Sequence, residues 1–205
     1  MDVEQVKLHF KTVDPVIFAA LADVDIAKWY RSPIDRELYF HKLVDQIISQ
    51  QLNVKVADII SARLLALVGE PHFSPAPLLK AEDEALRAVG LSKSKASYIK
   101  NLAALTEAGE IKFDAFATAA EEEIIAELTK VKGIGRWTAE MFLMFALGKP
   151  DVFSHGDYGL RSGIKKLYNL DDHPTLEEAT LITDKWRPYR SFGSYALWQS
   201  LEKKG

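Results

Sequence analysis

The chain contains no cysteine, which excludes disulfides, thiolate-held zinc and iron–sulfur clusters. It also lacks any apolar run near the roughly 18 residues a membrane helix needs. Its first residues, MDVEQVKLHF, show neither the basic stretch nor the apolar core of a signal peptide. Strand-like alternation is nearly missing, and no low-complexity linker interrupts the chain. His41 and His155 are isolated and without the spacing that makes a metal site. These absences point to a soluble, intracellular protein with no membrane contact.

What is present is helical. The chain has 205 residues, 48% of them hydrophobic, enough for one large domain or two small ones around a real core. Apolar residues recur at helical spacing, as in LVDQIISQ and VADIISARLLALVG, where Gly69 and Pro71 supply the stop. Breaks at Asp14-Pro15, Ser32-Pro33, Pro71 to Pro77, Gly90, Gly109, Gly133 to Gly135, Gly148 to Pro150 and His173-Pro174 predict an all-α fold of about eight to ten helices. Two segments share an outline, LRAVGLSKSKASYI and LTKVKGIGRWTAEM. Each reads as helix, tight turn, helix, and chance explains the likeness as well as a repeat does.

The net charge of −3 argues mildly against nucleic acid, but total charge says little when charges are segregated. Seven acids (Glu107, Glu110, Asp114, Glu121, Glu122, Glu123, Glu127) stand against one base, Lys112, and are followed directly by Lys130, Lys132 and Arg136. Further bases gather at Lys93, Lys95 and Lys100, at Arg161, Lys165 and Lys166, and at Lys185, Arg187 and Arg190. Singly these are ordinary solvated faces; together they suggest basic patches that folding could gather on one side.

In VKGIGRW two glycines permit positive φ and a close approach of another backbone, and a helix begins at once. Amides at a helix N-terminus, near Lys130, Lys132 and Arg136, suit an anion such as phosphate. A nucleotide P-loop or a Rossmann turn would need a preceding strand and a different glycine pattern. A plain helix–helix turn is the other reading. Asp157 follows Gly135 by 22 residues, after an amphipathic stretch and a Gly-Lys-Pro turn. In isolation it reads as a helix cap.

The pattern Leu128-x-x-Val131-x-Gly133-Ile134-Gly135-x-x-Thr138-Ala139 resembles the helix-hairpin-helix motif, which grips phosphates without reading sequence. With the Gly/Pro loop and Asp157 it is similar to the helix-hairpin-helix, Gly/Pro, Asp superfamily of base-excision DNA glycosylases. Within that superfamily the likeness is to the DNA-3-methyladenine glycosylase II family. LVDQIISQQLNVKVA, GLSKSKASYIKNLA and KWRPYRSFGSYALW extend it from about Leu43 to Trp198.

The resemblance implies two helical lobes with a DNA cleft between them and no N-terminal β-lobe. One lobe would be 36–150, carrying the hairpin at about 124–147; the other would combine 1–35 with 151–205. It also implies a monomer acting on double-stranded DNA with alkylated bases, in the cytoplasm or nucleoid, or in the nucleus of a eukaryote. Asp157 becomes the catalytic carboxylate, stabilising the oxocarbenium-like sugar and orienting or deprotonating water. Lys132, Gly133, Gly135, Arg136 and Thr138 become phosphate contacts. No cofactor is required, although the carbonyls of Thr129, Val131 and Ile134 match those that hold a monovalent cation, sodium or potassium.

Trp137 stands where lyase relatives carry the Schiff-base lysine, so glycosylase activity without strand cleavage is implied. Trp137, Met141, Trp198 and Gln46 fall at pocket positions, and Gln46 occupies the place where adenine-excising relatives carry a protonating glutamic acid, beside Asp45. Trp29 and Trp186 read as core. Base flipping needs a wedge, for which Gln51 comes first and Leu52 or Asn53 second. The activity implied is hydrolysis of alkylated purines; a different damaged or mispaired base, or a non-catalytic DNA-binding hairpin module, are the alternatives.

Overall fold

A computed structural model of the chain describes residues 2–22, 24–30 and 32–202. Among them there is no strand, as the missing alternation predicts. The helices are α1 (Val3–Val13), α2 (Pro15–Leu21), α3 (Ile26–Trp29), α4 (Tyr39–Ser49), α5 (Val54–Val68), α6 (Pro75–Lys80), α7 (Asp83–Ala88), α8 (Lys93–Glu107), α9 (Glu121–Leu128), α10 (Arg136–Phe145), α11 (Tyr158–Leu167), α12 (Leu176–Thr183) and α13 (Arg190–Glu202). The tally exceeds the eight to ten expected because α2, α3, α6 and α7 are short, of seven residues or fewer. Segments of that length are marginal alone and persist through packing. No helix among the described residues is long and apolar enough to cross a membrane.

The starts follow local chemistry. Asp2, Asp14, Asn53, Ser92, Asp157 and Thr175 each accept a backbone N–H of the helix they precede, satisfying donors that the helix cannot pair internally. At α12 the cap is reciprocal, because Glu178 reaches back to the Thr175 N–H at 2.8 Å.

The chain divides into two compact units, 34–142 and 1–33 with 143–205. The division falls after Phe142, inside α10, rather than at the Gly-Lys-Pro turn.

In the unit of 34–142, α4 packs on α5 and α8, and α8 on α6 and α7. Leu43, Val44, Ile47, Ile48, Leu64, Ile99, Leu102 and Phe142 are buried there. The two segments of similar outline fold alike: α7 and α8 meet through a turn with Gly90 at φ +112°, α9 and α10 through one with Gly133 at φ +92°.

The other unit is organised around Asp14 and Trp186, both buried. One carboxylate oxygen of Asp14 caps α2; the other accepts the Trp186 indole N–H at 2.8 Å and the Tyr168 hydroxyl. Burial, followed by its bond to Asp14, pushes the Tyr168 phenol well above its ordinary range. Trp186, read as core, is core. The Trp-x-Pro-x-Arg segment around it also fastens the loop leading to α11. Arg190 donates to the Asp151 carboxylate at 2.8 Å and to its carbonyl, and the Ser191 hydroxyl donates to the Lys149 carbonyl at 2.7 Å while accepting the Val152 N–H at 3.0 Å.

Candidate active site

Asp157 ends the fastened loop. Its Oδ1 accepts the Leu160 N–H at 2.8 Å and the Trp198 indole N–H at 3.3 Å, so the capping role that its residue type suggested is realised. Gly159 makes room for this arrangement. A Cβ there would stand 3.1 Å from Asp157 Oδ1 and 3.2 Å from the Trp198 ring.

Trp198 is stacked against Trp29, at 5.9 Å between centroids, and Phe145, at 6.0 Å. Trp29 is therefore not the sealed core residue expected from the sequence. It is half-buried, stacked on Trp198 and Tyr195, and its indole donates to Gln199 at 3.3 Å. The nearness of Trp29 and Phe145 to Trp198 left no signal in the sequence, because it joins α3, α10 and α13.

In the unit of 34–142 a cavity of about 720 Å³ is lined by Lys42, Asp45, Gln46 and Ser49 of α4, by the turn Gln50–Leu52, and by Gly133, Trp137, Thr138 and Met141. That volume is within the range of small-molecule sites. Trp137 is 47% exposed while Met141 is buried at 7%, so the cavity lining combines a partly exposed indole with a buried apolar side chain. Asp45 is committed: Oδ1 accepts the Ser61 hydroxyl at 2.7 Å, and Oδ2 faces His41 Nε2 at 3.3 Å. His41 Nδ1 accepts the Phe73 N–H at 3.2 Å, which fixes the tautomer donating to Asp45. Desolvation, only partly opposed by Asp45, holds the His41 pKa below its ordinary value.

The turn at the cavity rim is strained where the wedge was expected. Gln51 adopts φ +58°, an uncommon conformation for a residue with a Cβ. Asn53 caps α5 through the Val56 N–H at 3.0 Å, while Gln51 and Leu52 line the cavity.

Three residues without a site role in the sequence reading, Lys95 and Tyr98 of α8 and Gln50 of the turn itself, link this turn, α8 and the hairpin. Lys95 Nζ donates to the carbonyls of Ile48 and Gln50 at 2.7 and 2.6 Å, and burial lowers its pKa. Gln50 donates to the Gly133 carbonyl at 2.9 Å. Tyr98 lies on Gly133, where a Cβ would come within 2.1 Å of its ring.

Gly133→Ala therefore meets both a positive φ and a ring. It is expected to cost about 1–3 kcal/mol of stability and to weaken DNA binding at least tenfold, read by chemical unfolding and by fluorescence anisotropy. Wild-type affinity would refute this role of the glycine. Lys95→Met, which frees the turn but leaves the hairpin, is expected to slow single-turnover base release by roughly 10- to 100-fold with DNA affinity within about threefold. Equal losses in both measurements would contradict it.

At the hairpin itself several of the expected phosphate contacts have partners within the chain. The Lys132 N–H is taken by Asn101 Oδ1 at 2.7 Å, although its side chain makes no ion pair among the described residues. Arg136 is paired within the chain: its guanidinium grips Glu122 through both terminal nitrogens, one at 2.9 Å, and Glu140 through Nε at 2.9 Å. This pairing, through its hydrogen bond first, lowers the Glu122 pKa. Lys130 is paired with Glu127 at 2.6 Å. The acidic stretch thus folds back on the bases that follow it, and the charge segregation of the sequence is partly cancelled. Thr138 is buried and lines the cavity. Gly135 remains in place: its carbonyl accepts the Ala139 N–H at 3.1 Å, opening α10.

The model of the HhH-GPD superfamily base excision DNA repair protein matches residues 44–188, a span holding the hairpin, all of the cavity lining but Lys42, and Asp157. The chain belongs to this superfamily. DNA-3-methyladenine glycosylase 1 of Schizosaccharomyces pombe is 32% identical over 163 residues, covering 78% of this chain and 72% of that protein. YfjP of Bacillus subtilis strain 168, named as a candidate DNA-3-methyladenine glycosylase, is 33% identical over 162 residues, or 76% of this chain; the chain spans only 56% of that relative's length.

Among solved structures, a DNA-3-methyladenine glycosidase from Bacillus halodurans superposes with a TM-score of 0.84 at 36% identity, covering 98% of this chain and 91% of that one. The S. pombe 3-methyladenine DNA glycosylase Mag1 in complex with abasic DNA superposes with 0.79 at 29% identity, covering 97% of each. The all-helical HhH-GPD fold is thereby established for this chain.

Proposed function

We propose that this protein is a monofunctional DNA glycosylase that, as a monomer, hydrolyses the N-glycosidic bond of alkylated purines of the 3-methyladenine and 7-methylguanine class in double-stranded DNA. The observation carrying this reading is the cavity beside the hairpin, walled by a half-exposed Trp137 where a lyase would need a lysine amine. An alkylated purine bears positive charge, so an indole face attracts it, and it departs without being protonated. Relatives sharing over 30% identity carry the names of enzymes of this class.

The hairpin amides and Lys132 grip backbone phosphate, while Gln51, with Leu52 behind it, fills the gap left by the flipped base. Asp157 stabilises the developing sugar cation and directs water. The carbonyls of Thr129, Val131 and Ile134 suit a hard cation in their chemistry. Val131 spends one lone pair on the Ile134 N–H at 3.0 Å and keeps another. Sodium or potassium held there would add positive charge against a phosphate.

The test is incubation with methylated duplex DNA and chromatography of released bases. Release of 3-methyladenine and 7-methylguanine, with intact strands until alkali is added, is expected. DNA binding without release of any base would overturn the reading in favour of a non-catalytic binding module, release of other bases alone would shift the substrate class, and strand cleavage without alkali would refute the monofunctional assignment.

A further inference from the structure

We propose that Gln46 selects the base, favouring modified purines that keep an N–H donor on their Watson–Crick edge. The inference rests on the glycosylase reading and deepens it. Gln46 lies on α4 and lines the cavity together with Trp137, Thr138 and Met141. Its carboxamide oxygen is shut off from solvent and accepts no hydrogen bond. Three of the polar residues lining the same cavity are committed elsewhere. Asp45 holds Ser61 and His41, Ser49 donates to the Asp45 carbonyl at 2.7 Å, and Gln50 donates to Gly133.

A buried acceptor left unpaired is costly and uncommon in folded proteins. This one belongs to a side chain at a cavity wall, and the terminal torsion of glutamine is broad and two-fold. Rotation about it re-aims the oxygen without moving the helix.

A carboxamide offers an acceptor and donors in one plane. The edge of adenine offers the complement, an N6 amine beside the N1 acceptor, and guanine offers N1–H beside O6. Either pairs with glutamine through two hydrogen bonds, as amide side chains do with base edges in DNA recognition. Methylation at N3 or N7 leaves these edges intact. In 1,N6-ethenoadenine both edge nitrogens are tied into an added ring and no N–H remains, so the Gln46 oxygen would stay unpaired inside a filled cavity. Sites built to hydrogen-bond their substrate discriminate most strongly against analogues that lack the bond. A carboxamide delivers no proton, so the contribution of Gln46 is to recognition and not to leaving-group activation.

The experiment compares single-turnover release of 7-methylguanine and 1,N6-ethenoadenine from one duplex sequence by wild type, Gln46→Leu and Gln46→Glu, with thermal unfolding as a check on folding. Taking the change in the ratio of the two rates cancels their different leaving-group abilities and any general loss of active protein. Gln46→Leu is expected to lower the ratio of 7-methylguanine to ethenoadenine release by at least about tenfold, mainly through slower 7-methylguanine release. Gln46→Glu, which keeps the acceptor, is expected to hold the ratio nearer to wild type. A ratio unchanged in Gln46→Leu overturns the assignment while the glycosylase reading stands. A wild type that releases neither base overturns both.

Discussion

Asp157→Asn is expected to release alkylated purines on the order of 10²–10³-fold more slowly than wild type, the size of effect seen when one group stabilising transition-state charge is lost, with α11 still folded. Asparagine caps helices about as well as aspartate, so the bond from the Leu160 N–H has a replacement. What disappears is the negative charge. Asp157→Ala, by contrast, removes both charge and cap. The two variants should share the loss of activity, while only Ala loses stability, by about 1 kcal/mol. Single-turnover base release and urea unfolding on the same preparations separate the two roles. Wild-type rates in Asp157→Asn would leave the residue a cap and nothing more.

Gly159→Ala bears on the same carboxylate from a neighbouring position, since its Cβ would press on both Asp157 Oδ1 and the Trp198 ring.

Asp14→Ala is expected to cost about 3–5 kcal/mol of stability. It leaves the buried Trp186 N–H and Tyr168 O–H without their acceptor, each worth roughly 1–3 kcal/mol, and removes the cap of α2. Against the roughly 5–15 kcal/mol that holds a typical domain together, this is a large fraction. Asp14→Asn, whose single carboxamide oxygen can keep either the cap or the acceptor for Trp186 and Tyr168 but not both, should cost less. Unfolding in urea followed by tryptophan fluorescence reads the difference; a loss under about 1 kcal/mol in Asp14→Ala would show that the carboxylate does not organise its unit.

Several expectations were legible because they depend on neighbours in the chain. The Gly-x-Gly turn, the helix after it, the Asp14-Pro15 start and the cap at Asp157 are settled by φ preferences and by side chains reaching two or three residues. Trp137 could be placed beside the hairpin by counting. The pairings that were not legible have a common cause. Glu122, 14 residues away, holds the Arg136 guanidinium. Lys95 was counted as part of a basic patch and serves instead as a clamp on two carbonyls 45 and 47 residues earlier. Such pairings carry no periodicity, and any lysine on a helix surface looks the same in sequence.

The sequence by itself determined an all-helical chain, a hairpin with the pattern of a phosphate grip, and an aspartate at a loop–helix junction, since each is fixed by interactions within a few residues. Tertiary structure decided which charges remain unpaired and which side chains line the cavity. It also decided that Gln46, Gln50 and Lys95, on α4, the following turn and α8, share one neighbourhood. Burial and partner choice belong to residues far apart in the chain, and only packing brings them within hydrogen-bonding distance.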